Sequence, residues 1–236
     1  MIQSPPNLSW GCIDIVSLFK EKMHIETLLT NDANAAALGE KSYGLAKNMD
    51  DFVVVTLGTG LGSGIFSSGK LLYGHDGFAG EMGHISIDFN GRICNCGNKG
   101  CLEAYASATG IRNTILELLE KDPQNTLLQT LIKGNIDGFL LDKSYDQGDK
   151  TAIKIYHYTG EKLGQGLALV ANLLSPEAFI FYGGFSNAGE RIFSSARKSM
   201  KHNLINSSGK DIKLIQSGLA KGQAGILGAA SLIWTK

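Results

Sequence analysis

The chain has 236 residues, carries 22 Lys plus Arg against 22 Asp plus Glu, and is 43% apolar. That balance excludes a long-range field able to gather nucleic acid or an anionic membrane, so nucleic acid is not expected as a partner and any anionic ligand must be held locally. No apolar run reaches the roughly 20 residues needed to span a bilayer, and the opening MIQSPPNLSW lacks the basic-then-apolar order of a secretory signal; the expectation is a cytoplasmic globular protein with a substantial core and no membrane partner.

In chain order, Pro5, Pro6 and Gly11 predict an extended or turning entry, followed by a short amphipathic helix over Ile13 to Met23 and a β-compatible segment over Ile25 to Leu29. Thr30, Asn31 and Asp32 are capping residues ahead of the strongly helical stretch Ala33 to Glu40. Asp32 therefore sits at a helix start, where unpaired amides and the helix dipole favour negative charge and bound ligands collect. Asp51 to Thr56 (DFVVVT) reads as a buried strand, and Gly64 to Phe66, a turn at Ser67-Ser68-Gly69-Lys70 and Leu71 to Tyr73 read as a hairpin. Helices are expected over Leu102 to Glu120 and over Asp149 to Leu174, the latter with Ala152, Tyr156, Leu163, Leu167, Val170 and Leu174 on one apolar stripe and Ser175-Pro176 closing it. A buried strand, Ala178 to Tyr182, ends in Gly183-Gly184; a helix from Ala188 to His202, a strand from Asp211 to Ile215 and a closing helix from Gly222 to Trp234 complete the chain. Alternating strands and helices imply an α/β architecture. A boundary is expected at residue 50, with 1–50 in one lobe and 51–236 in a larger one.

Chemistry concentrates between Thr56 and Glu103, where glycine occupies 58, 60, 62, 64, 69, 74, 77, 80 and 83. Gly58-Thr59-Gly60 directly follows a strand, and its glycines would let main-chain amides approach phosphate oxygens; an ordinary glycine-rich β-turn is the alternative. The continuation Ser63-Gly64-Ile65-Phe66 is strand-like, which is wrong for a dinucleotide fingerprint. His84, Cys94, Cys96 and Cys101 supply four ligands of the types tetrahedral zinc prefers, and four protein ligands make a closed, structural site. In a reducing compartment such spacing favours metal over disulfides, with free thiols as the alternative. Cys12 stands apart and reads as a small core residue. Asp32, Glu81 and Glu103 are carboxylates placed for ligand work, Glu81 and Glu103 flanking the metal pattern; a polyhydroxylated substrate needs such acceptors, although each acid taken alone could be an ordinary solvated or capping group.

Five ordered motifs, NDANAAALGE (31–40), VTLGTGLGSGI (55–65), GFAGEMGH (77–84), CNCGNKGCLE (94–103) and FYGGFSN (181–187), resemble the ROK family of sugar kinases and sugar-responsive repressors, and within it the glucokinase-like members. The resemblance implies the two-lobed, actin-like and ribonuclease-H-like ATPase fold and ATP-dependent phosphorylation of a hexose, with glucose at its 6-hydroxyl expected by resemblance only. It implies Asp32 as the base that takes the proton of the attacking hydroxyl and Asn31 as holder of a neighbouring hydroxyl. Glu81, His84 and Glu103 would bind the sugar ring. Structural Zn2+ would sit on His84, Cys94, Cys96 and Cys101; Gly58, Thr59 and Gly60 would take the phosphates of ATP, which comes with Mg2+; and Gly183 and Gly184 would border the adenosine. Homo-oligomers, dimers or tetramers, are expected on the same ground. The family kinases also carry an Asp-x-Gly-Gly-Thr phosphate loop that has no counterpart in these residues, so a small lobe truncated at its N-terminus is expected. A sugar-binding regulator and an impaired fragment that keeps sugar and zinc binding are the alternatives to a working kinase.

Overall fold

Strand β1 (Phe52–Leu57) lies in the middle of a five-stranded sheet. In the computed structural model, which describes residues 11–134, 136, 138–205, 211–220 and 222–234, β1 pairs antiparallel with β2 (Leu61–Ser67), and β2 pairs antiparallel with the short β3 (Lys70–Leu71). On its other side β1 pairs parallel with β4 (Ala178–Tyr182), which pairs parallel with β5 (Lys213–Gln216). Phe52 and Val54 enter one hydrophobic cluster and Val53, Val55 and Leu57 enter another. The sheet is therefore covered on both faces, which is why β1 reads as an unbroken apolar run. Phe179 and Phe181 of β4 continue the second cluster, Ala178 and Ile180 the first.

The helices follow as α1 (Ile15–Met23), α2 (Asp32–Tyr43), α3 (Ala108–Lys121), α4 (Thr126–Leu131), α5 (Gly138–Asp146), α6 (Lys150–Leu174), α7 (Glu190–Asn203) and α8 (Gln223–Ser231). Helices α2 and α8 pack together on one face of the sheet, and α6 and α7 pack together on the other. Helix α6 starts where the Asp149 carboxylate accepts from the amides of Thr151 and Ala152, and stops at Ser175, whose φ is 52°. Its expected stripe is buried at Ala152, Tyr156, Leu163, Leu167 and Val170, with Leu174 half-buried; each such large side chain contributes about 1.5–3 kcal/mol.

Several expectations need correction. Ile25 to Leu29 forms no strand, and Ile25, Leu28 and Leu29 are exposed; a strand requires a ladder, and among the described residues no strand pairs with this segment. The helix expected from Leu102 begins only at Ala108. Leu102–Ala104 is a separate 3-10 turn, because the Ser107 hydroxyl donates to the carbonyl of Glu103 at 2.7 Å while accepting from the Gly110 amide at 3.1 Å, and so caps a new helix. Helices α4 and α5 had no strong sequence signal, and α7 starts two residues later than expected because a 3-10 turn at Gly184–Ala188 precedes it. Cys12 is exposed rather than in the core. The entry at Pro5 and Pro6 lies outside the described residues. Helix α2, on the early side of the boundary expected at residue 50, packs on β1, β2 and α8, whereas α1 buries no residue.

Candidate active site and metal centre

Helix α2 begins at the mouth of the sheet because Asn31 caps it: Asn31 Oδ1 accepts from the Ala33 amide at 2.8 Å. This leaves Nδ2 as the group Asn31 can offer a ligand. Asp32 is exposed on the first turn, one carboxylate oxygen accepting from the same amide at 2.9 Å. Nearby, Gly58, Thr59 and Gly60 form the three-residue loop between Leu57 and Leu61, which are paired across β1 and β2. The loop's carbonyls are all engaged: Gly58 accepts from Ala108, Thr59 from the amide and hydroxyl of Thr109, and Gly60 from Gly58. The amides of Thr59 and Gly60 donate to no protein group among the described residues. A turn with anchored carbonyls and free amides is suited to an anion.

Asp32, Gly58, Thr59, Gly60, Glu103 and Gly183 line one cleft of about 580 Å³. Gly183 and Gly184 line an adjoining cavity of about 350 Å³ with Ser186, Asn187, Gln216 and Ser217. Gly183 has a φ of 110°, and a Cβ there would collide with the carbonyl of Leu57, so the strand-end crossing needs glycine. A Cβ on Gly60 would collide with the Glu103 carboxylate. Glu103 thus approaches the loop closely, and its Oε2 accepts from the Leu61 amide at 2.9 Å.

Glu103 also reaches the cysteines, its Oε1 lying 3.9 Å from Cys94 Sγ. The candidate ligand atoms of His84, Cys94, Cys96 and Cys101 all lie within 4.8 Å of one another. Cys94 Sγ is 3.7 Å from His84 Nδ1, and Cys96 Sγ is 3.7 Å from Cys101 Sγ. Tetrahedral zinc with bonds of about 2.3 Å to sulfur and about 2.0 Å to nitrogen requires ligand separations of about 3.5–3.8 Å, which the Cys94–His84 and Cys96–Cys101 pairs meet, and the donor set of one imidazole and three thiols suits that ion. Burial pushes the Cys101 thiol up to about 12 and raises that of Cys94, whereas the Asn98 amide holds Cys96 below its ordinary value. Cys96 is also the exposed one of the three, so it is the sulfur an incoming ion would meet first. His84 turns its other nitrogen, Nε2, outward to 3.9 Å from Glu81 Oε2. Glu81 and His84 do not line the cleft of Asp32; Glu103 is the residue that joins the two groups.

Two further contacts place the outer carboxylate. Ser63 of β2 donates to the carbonyl of Gly80 at 2.5 Å, immediately before Glu81, and a Cβ on Gly80 or Gly83 would strike the backbone of β2. Sequence reasoning passed over Ser63, and also Arg92 and Tyr105, whose amide-to-hydroxyl bond of 2.8 Å ties the cysteine loop to the turn after Glu103. The available signal for Arg92 was only its place beside Cys94, which fixes no partner.

Known proteins resemble this chain along its whole length. The ROK family model matches residues 1–236. A glucokinase of Thermotoga maritima is 36% identical over 99% of this chain and 74% of its own length. A xylose repressor of Bacillus subtilis is 34% identical over 97% of this chain but only 56% of its own length. Among solved structures, a ROK family glucokinase from Streptomyces griseus in complex with glucose and AMPPNP superposes with a TM-score of 0.83, at 35% identity over 96% of this chain and 74% of that one. The central mixed sheet flanked by two helical layers is accordingly the actin-like ATPase fold. With its ordered motifs, its sheet and its relatives in agreement, the chain belongs to the ROK family.

Proposed function

We propose that the protein is an ATP-dependent sugar kinase that transfers the γ-phosphoryl group of ATP to a hexose, glucose at its 6-hydroxyl being the substrate favoured by the glucokinase relatives. One observation carries this reading: the Asp32 carboxylate, the free amides of the Thr59-Gly60 turn, Glu103 and Gly183 line the same cleft. A sugar hydroxyl is a poor nucleophile, so the protein must orient it, accept its proton and offset charge on the phosphates. Asp32 takes that proton as the new O–P bond forms and ADP departs, while Asn31 holds a neighbouring hydroxyl. Gly58, Thr59 and Gly60 receive the phosphates of magnesium-bound ATP, and Gly183 and Gly184 border the adenosine. Glu81, Glu103 and His84 Nε2 bind the ring. His84 Nδ1, Cys94, Cys96 and Cys101 would hold zinc, which when bound fixes the loop between Glu81 and Glu103 without entering the reaction. Residues 1–50 are assigned to the remnant of a smaller lobe and 51–236 to the larger one, with α2 packing from the first onto the sheet of the second. The protein is placed in the cytoplasm, where ATP and reduced thiols coexist, as a homo-oligomer whose size light scattering would report; among the described residues no helix is long and apolar enough to cross a membrane.

Replacing Asp32 with Asn tests the reading. Phosphorylation should fall by about 10²–10⁴-fold, the usual worth of a general base, while calorimetry shows glucose still bound. Undiminished turnover in that variant would remove Asp32 from the mechanism. The likeness to the xylose repressor favours a second reading, a sugar-binding regulator; glucose or xylose binding by the wild-type chain with no phosphorylation would support it, or an impaired fragment, over the kinase.

A further inference from the structure

Arg92 opens the cysteine loop yet is neither a metal ligand nor part of the cleft. Its side chain is only 10% exposed, and a guanidinium is buried at high cost unless its donors are satisfied. All five have partners. Nε and Nη2 form a fork on the two oxygens of Glu117 at 2.6 and 2.7 Å, Nη2 also reaches Thr114 Oγ1 at 2.9 Å, and Nη1 donates to the carbonyls of Ala104 at 2.8 Å and Gly110 at 3.1 Å. The guanidinium carbon lies 4.6 Å above the ring of Tyr105 and 5.6 Å from that of Tyr158. The backbone of Arg92 is engaged as well, its carbonyl accepting from the Gly100 amide at 2.7 Å and its amide donating to the Tyr105 hydroxyl.

These bonds fall at both ends of one short segment. Gly100 immediately precedes Cys101, and Ala104 immediately follows Glu103. We propose that Arg92 is a positioning residue that clamps residues 100–104 from both sides against α3, and thereby sets Cys101 for the metal and Glu103 for the sugar without touching either. The sugar half rests on the kinase reading given above; the metal half does not. A rigid fork between two loops is a task for Arg rather than Lys, because only the planar guanidinium can serve Glu117 and two carbonyls together. Arg191, which pairs with Asp146 and Asp142 of α5 and donates to the carbonyl of Ala188 at 3.3 Å, contacts neither the candidate metal ligands nor Glu103 and supplies a control for zinc and glucose.

The test uses the full zinc-loaded chain as wild type, Arg92→Lys, Glu117→Gln and Arg191→Lys. Zinc transfer to a chromogenic chelator, glucose affinity, the affinity of a non-hydrolysable ATP analogue and Tm are measured. Arg92→Lys should release zinc about tenfold faster, as loss of a ligand-orienting partner does, and bind glucose about tenfold more weakly through a displaced Glu103, with ATP-analogue affinity unchanged. Glu117→Gln, the milder change, should move the same two quantities in the same direction by about threefold. Arg191→Lys should lower Tm while leaving zinc release and glucose affinity at their wild-type values. Wild-type zinc release and glucose affinity in Arg92→Lys, or a matching loss of ATP-analogue affinity, would overturn the proposal. If the wild-type chain binds no glucose, the kinase reading fails and zinc release decides the clamp: faster release supports it, unchanged release refutes it.

Discussion

On one face of the sheet, α6 and α7 meet each other closely at Gly160 and Gly164 but turn large side chains such as Tyr156, Leu163, Ile192 and Phe193 into the cluster that covers the strands; on the other, α2 meets β2 itself, as well as α8, almost backbone to backbone. The second contact is made by Ala33, Ala35, Ala36, Ala37, Gly39, Gly64, Ala224 and Gly228, and a Cβ on Gly39 or Gly228 would run into a main-chain carbonyl of the partner helix. Large side chains bury much area and tolerate small shifts, because a neighbour can repack. A backbone contact buries less and tolerates none. The face with bulk therefore supplies stability, and the thin face supplies position: it holds the first turn of α2, with Asp32, against the strand that leads out of the glycine loop.

Ile192→Ala should show the first half of that contrast most strongly. Ile192 is fully buried between α7 and α6, so about 2–5 kcal/mol should be lost in denaturant unfolding, with kcat per folded molecule unchanged. A selective fall in kcat would show that the thick face also sets the site. Gly64→Ala probes the thin face, since its Cβ would lie 2.6 Å from the carbonyl oxygen of Ala33 and from the Ala37 methyl. The stability loss should be smaller, about 1–3 kcal/mol, but kcat should fall out of proportion to the folded fraction because Asp32 moves. Loss of stability alone would erase the distinction.

The metal loop belongs to neither face, and its response to pH is a third and milder test. With Cys94 and Cys101 raised by burial, their thiols are protonated at neutral pH in the absence of metal, and zinc must displace those protons. Binding at pH 7 should release about two to three protons, and zinc affinity should fall as pH is lowered, because protonation competes with coordination. Calorimetry in two buffers of different ionisation enthalpy reports the number. Release of no protons would remove the thiols from the ligand set.

Much of this was legible in one dimension. Helix α6 is an instance where every signal agreed: an Asp cap, a long 3.6-residue stripe and a stop before Pro176. Strand β4 likewise appeared at its expected residues, since AFIFY between a loop and Gly183-Gly184 admits little else. The four candidate metal ligands could be picked out because zinc selects residue types as well as spacing, and folding brings their ligand atoms within 4.8 Å of one another. Ile25 to Leu29 failed because a β-compatible run becomes a strand only where a neighbour offers a ladder. Cys12 failed because the burial of one small residue depends on what lies over it. Leu102 to Glu120 failed at its start because the Ser107 hydroxyl favoured a cap over helix continuation, a competition between two local bonds that propensity does not register.

The sequence by itself determined the family, the type of each strand and long helix, and the chemical kinds in the site: a carboxylate at a helix start, a glycine loop, three thiols and an imidazole. Only the tertiary structure decided how they meet. Glu103 joins the metal cluster to the glycine loop, His84 presents Nδ1 to the thiols and Nε2 to Glu81, and Arg92 binds the segment that carries Cys101 and Glu103. The reason is physical. Residue type and local period fix what a segment can form, whereas the partner of a side chain depends on groups that chain folding brings from tens of residues away, and no spacing along the sequence encodes that distance.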